Sequence, residues 1–116
     1  MNQRRSDEPG SPVMKQGVID LMTHDLKTDE YALIMVETRN WDGGRAQLEQ
    51  LQAKVNSYLD FVLSGEFTRK YSEAAGKRIR FHLDCPAPPS GEAADFLQRL
   101  EAALRKHGIR FVVNVL

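Results

Sequence analysis

The chain has a single cysteine, Cys85, in 116 residues. That excludes an intrachain disulfide, excludes a zinc site built mainly on cysteines, and suits a reducing compartment. It has no surplus of charge of either sign, with 16 acids against 16 bases. A dedicated nucleic-acid binder carries a positive surface, because phosphate neutralisation supplies most of its affinity. A balanced chain argues against nucleic acid as a partner. The longest apolar run, Ala32 to Val36, is far short of the roughly 20 residues of a membrane helix. Nothing at the N-terminus resembles a signal segment, since MNQRRSDEPGSPVMKQ is polar almost throughout. A cytoplasmic address without a membrane is the expectation.

Phosphate-binding glycine loops are missing too: neither GxGxxG nor GxxxxGK[ST] occurs. No pair among His24, His82 and His107 has metal-ligand spacing, so no metal and no cofactor are expected. There is no GxSxG elbow for a serine nucleophile. Cys85 falls on the apolar phase of its segment and reads as a buried structural thiol. No catalytic residue is assigned.

What is present is an ordinary globular composition, 41% hydrophobic and 28% charged. Residues 1–16 carry Pro9, Gly10 and Pro12, lack periodicity, and read as a disordered N-terminal tail. Residues 17–116 read as a single α+β domain. Val18 to Thr23 is a first strand and HDLKTDE a polar turn. Tyr31 to Glu37 is a second strand, nearly continuous in apolar residues and hence central and covered on both faces. A hairpin centred on Lys27 places Asp20 opposite Ile34. It leaves Asp20 and Glu37 unpaired, so a carboxylate dyad is not expected.

A helix over Ala46 to Ser64 follows from the stripe Leu48, Leu51, Val55, Leu59 and Val62, with Gly65 as its stop. Glu66 to Ala75 is a short helix. Ile79, Phe81, Leu83 and Cys85 alternate with Arg78, Arg80, His82 and Asp84, the pattern of a strand with one wet face. After the stiff Pro86–Pro89 connector, Ser90 begins a second main helix with Phe96, Leu97, Leu100 and Leu104 on one side. Gly108 ends it, and IRFVVNVL is the last strand. The fold predicted is a four-stranded mixed sheet in the chain order β-β-α-(short α)-β-α-β. The last two strands are parallel and both main helices lie on one face. The other face presents Arg78, Arg80 and His82. Beside them stands either the row Tyr31, Leu33, Met35, Glu37 or its alternate. A partly apolar open face calls for a cover, which points to a homodimer or another partner.

The stretch richest in binding chemistry is Glu37 to Gly44 (ETRNWDGG), which links a strand to a helix and holds the one tryptophan. Loops at strand ends commonly carry binding groups, and Trp and Arg anchor interfaces. Glu37, Arg39, Trp41 and Asp42 are therefore candidate binding residues, with His82 from the wet face as a further polar group. The bland alternative makes Trp41 a lid on the helix start and Asp42 its N-cap.

The pattern GVIDL, KTDEY, then Arg39 with Trp41-Asp42-Gly43, then Asn56 with Tyr58 resembles a bacterial family of small proteins catalogued only as a domain of unknown function. The resemblance covers residues 17–116. It implies a bacterial, stand-alone cytoplasmic domain and brings no activity, cofactor or catalytic residue with it.

Three functions fit. First is a non-catalytic binding or assembly module that self-associates. Second is a small-molecule binder or small enzyme with a pocket at the Arg39–Gly43 loop. Third is a single-stranded RNA binder using Arg78, Arg80 and Arg110 on the open sheet.

Overall fold

The longest apolar run became the second strand of the sheet. The computed structural model describes residues 11–14 and 19–116. The elements are β1 (Leu21–Asp25), β2 (Glu30–Val36), α1 (Arg45–Leu63), α2 (Glu66–Lys70), β3 (Arg78–Cys85), α3 (Gly91–Arg105) and β4 (Arg110–Val115). Short 3-10 turns occupy Pro12–Met14 and Ser72–Ala74. The strands lie in the order β1-β2-β3-β4. β1 is antiparallel to β2, and β2, β3 and β4 are mutually parallel. This is the α+β mixed sheet expected from the pattern.

Side chains alternate across a sheet, so the register sorts them into two faces. One face carries Tyr31, Leu33 and Met35 of β2, Phe81 and Leu83 of β3, and Phe111 of β4. These share one core with Leu51, Val55 and Tyr58 of α1 and Leu97, Leu100 and Leu104 of α3. Both main helices therefore cover the same face. The outer face takes the alternate row of β2, Ala32, Ile34 and Val36, beside Arg78, Arg80 and His82.

α1 stops where Gly65 adopts a left-handed φ of 89°, and Gly65 N–H donates to the Val62 carbonyl. The N-cap of α1 is Gly44, not Asp42; Asp42 Oδ1 accepts from Gly44 N–H at 2.7 Å. The hairpin register differs from the expected one by a residue. Leu21, not Asp20, faces Ile34. The reason lies in the turn: Asp25 Oδ1 accepts from Lys27 and Thr28 N–H, and Asp29 takes a left-handed φ of 58°. That geometry extends β1 to Asp25 and shifts the turn centre by half a residue.

The expected tail, residues 1–16, is corrected in part. Residues 1–10 and 15–18 lie outside the described residues, as does the start of the predicted first strand. Ser11–Met14, however, belongs to the fold. Val13 sits fully buried in the core. Ser11 Oγ donates to the Val36 carbonyl and accepts from Thr38 N–H at 3.0 Å. A single buried valine between Pro12 and Met14 has no periodicity to betray it. Val13→Ala is expected to cost about 1–3 kcal/mol in urea unfolding, whereas a passive tail residue changes nothing.

Candidate functional site

The end of β2 delivers Glu37 to the helix side of the sheet, where it is 3% exposed. A buried carboxylate needs donors. Arg39 supplies a bidentate pair, Nη2 to Oε1 at 2.8 Å and Nε to Oε2 at 2.9 Å. Arg39 backbone N–H also donates to Oε2, and Gln47 Nε2 reaches Oε1. Burial alone raises this acid, but Arg39, Ser11 and Gln47 outweigh it and hold Glu37 below the usual carboxylate range. Arg39 is turned onto α1 by Gln50, whose Oε1 accepts from Nη1 at 2.8 Å.

Trp41 packs against the core and donates its indole N–H to the Ala87 carbonyl at 2.9 Å. It thereby joins the loop after β2 to the loop after β3. Cys85 lies beneath, fully buried, and burial is the main reason its thiol titrates above its ordinary range. Glu37 and Arg39 thus form one knot, Trp41 a strut beside it, and exposed Asp42 the turn that follows. His82 stands elsewhere, on the outer face. The five residues are not brought to one concave site. A groove of about 460 Å³ runs between α1 and α3 and is lined by Arg45, Leu48, Glu49, Glu92, Asp95, Phe96 and Arg99. None of the five lines it.

A second buried polar cluster was missed by pattern reading. Lys54 of α1 is completely buried and its Nζ meets Asp20 Oδ1 at 2.8 Å. Asp20 Oδ2 accepts from Val36 N–H, while Tyr58 Oη accepts from Asp20 N–H and donates to the Ile34 carbonyl. Burial pushes the Tyr58 hydroxyl well above its ordinary value. The signal was in the sequence: Gln47, Leu51, Lys54 and Tyr58 recur at helical spacing, so two polar residues share the buried stripe.

On the outer face Arg80 is a hub. Its Nη1 donates to Glu30 at 2.6 Å, its Nη2 to Asp25 at 3.0 Å and its Nε to His82 Nε2 at 2.7 Å. Arg110 donates to the same Glu30. Arginines committed to acids in this way offer little to a phosphate backbone, and the outer rows carry no Phe, Tyr or Trp for base stacking.

The two sheet edges differ. β1 is five residues long and carries Thr23, His24 and Asp25. β4 reads RFVVNV and is flanked by two clefts against α3, of about 280 and 270 Å³. Phe111, Val113, Leu97 and Ile109 line them, with Glu101 and Arg105 at the rim. Val115 and Leu116 are exposed beyond.

Fold and surfaces together define a small α+β domain whose Glu37, Asp20 and Arg80 clusters tie its own elements together and whose last strand lies at the sheet edge. The chain belongs to the family of unknown function DUF6572, whose model matches residues 11–116. The match includes the Ser11–Met14 turn, ahead of the Gly17 boundary expected from the sequence. No curated protein and no solved structure matches the chain.

Proposed function

We propose that this chain is a non-catalytic binding and assembly module of a bacterial cytoplasm that self-associates through the edge of β4. The observation that carries this reading is that β4 is an edge strand without the usual protection. Exposed edges are normally blunted by lysine, proline or a bulge. Past Arg110, this one offers Phe111, Val112, Val113, Asn114, Val115 and Leu116 with no charged side chain and no proline. Leu116 N–H donates to the Cys85 carbonyl, so by alternation the amides of Phe111, Val113 and Val115 face away from β3.

A second copy meets these groups in antiparallel register about Val113. Arg110 then faces Leu116, Phe111 faces Val115 and Val112 faces Asn114, so no like charges are opposed. The α3 rim is self-complementary as well: Glu101 and Arg105, 3.5 Å apart within one chain, meet their opposites across a two-fold axis. The lone buried cysteine agrees with a reducing compartment.

The test is solution mass by light scattering. The wild type is expected at twice its 13.2 kDa chain mass. Val113→Lys, still folded by circular dichroism, is expected to dimerise about 100-fold more weakly, because a strand-centre lysine must be desolvated. A monomeric wild type, or a variant that stays dimeric, overturns the reading.

A further inference from the structure

The outer face of the sheet holds an arrangement that the assembly reading leaves unused. Arg80 Nε is a donor only, so His82 Nε2, 2.7 Å away, must offer a lone pair. The ring is therefore neutral, with its proton on Nδ1. Ile34 of β2 and Val112 of β4 flank His82 in register, and Ile34 is 9% exposed although no helix among the described residues covers that face. Asp84 lies two residues on, pointing to the same side as Arg80 and His82. It accepts from Asn114 Nδ2 at 3.2 Å.

We propose that His82 is a two-position proton switch on the outer face, bonded to Arg80 when neutral and turned toward Asp84 when protonated, uncovering Ile34 and Val112 as it moves. A proton on Nε2 sets N–H against N–H and breaks the Arg80 contact. Arg80 does not follow, because Glu30 and Asp25 hold its other nitrogens. The charged groups facing the ring are Arg80 and Asp84 on its own strand, Glu30 on β2 and Arg110 on β4, with Asp25 of β1 behind Arg80. The imidazolium is repelled by the two arginines and drawn to Asp84. Burial, then the Arg80 charge, holds His82 below the ordinary histidine value of 6.5. Its folded-state value lies under its unfolded one, so the stability it contributes is full above pH 6.5 and lost as pH falls through the folded value.

Nitrogen-15 NMR of the histidine rings tests this in the intact chain. At pH 7.5 His82 should show the Nδ1–H tautomer, and its titration midpoint should lie below 6.5. Across that midpoint, the Arg80 Nε–H should exchange faster with water, and the Ile34 and Val112 methyl groups should feel a soluble paramagnetic probe at least twofold more strongly. His82→Gln, whose Oε1 accepts from Arg80 and does not titrate, should abolish both changes. Asp84→Asn should lower the midpoint further by removing the attracting charge. An Nε2–H tautomer at pH 7.5, an Arg80 contact unchanged through the titration, or the same methyl response in His82→Gln overturns the proposal. His24 and His107 remain in that variant, so their titration is separated from that of His82.

Discussion

Asp20→Ala is expected to lower the unfolding free energy by about 3–5 kcal/mol. Breaking a buried ion pair by removing one partner leaves the other charge in a low-dielectric site. Here that charge is the Lys54 ammonium, which has no solvent exposure and sits 2.8 Å from the carboxylate. The same substitution removes the acceptor for Val36 N–H and loosens the start of the hairpin from β2. The double variant Asp20→Ala, Lys54→Met should recover a good part of the loss, because apolar replacement of both partners is commonly near neutral. Urea denaturation of the two variants measures both. A single-variant loss below about 1 kcal/mol contradicts the role given to this cluster.

Arg39→Ala is expected to cost about 2–4 kcal/mol at pH 7, from three guanidinium bonds lost, two to Glu37 and one to Gln50, and a buried Glu37 left behind. The pH dependence identifies the cause. In the wild type Glu37 is held below its ordinary value of 4.5. Its stabilising contribution is therefore full above pH 4.5 and declines as pH falls through the lower folded-state value. Without the guanidinium, burial dominates and Glu37 takes up a proton more readily. The difference between variant and wild type should accordingly shrink between pH 7 and pH 4. A penalty that is constant over that range assigns the loss to packing of the arginine stem on α1 instead.

These two clusters also mark where the sequence is legible. Strand and helix assignments follow from period: Phe81 and Leu83 alternate with Arg80 and His82, and Leu51, Val55 and Tyr58 recur at helical spacing. Such patterns record burial, and burial is what decides the faces of this sheet. Partner choice among polar groups is different. Glu37 and Arg39 are two residues apart, yet their pairing depends on Gln47 and Gln50 from α1, which arrive through tertiary packing. Lys54 finds Asp20 across 34 positions. The loop stood out as a site because it is rich in chemistry, and that chemistry is committed to contacts within the chain: Trp41 spans to Ala87, and exposed Asp42 caps its own turn. The one-residue hairpin shift has the same origin, an Asp25 side chain bonding amides that a symmetric turn leaves free. Val13 could not be read at all, because one buried residue carries no period.

The placement of the second copy at β4 is tested most directly by pulsed dipolar distances between spin labels in the full chain. One label goes at Asn114→Cys on β4 and another, in a separate sample, at Thr23→Cys on β1, both on the outer face and exposed. Strands lie about 4.8 Å apart, so a continuous eight-stranded sheet sets the two β1 strands about 34 Å apart and brings the β4 labels within about 20 Å of each other. A short distance for Asn114→Cys with a long one for Thr23→Cys is the result predicted. Thr23→Cys labels closer than Asn114→Cys labels, or no dipolar coupling at either position, contradicts the account.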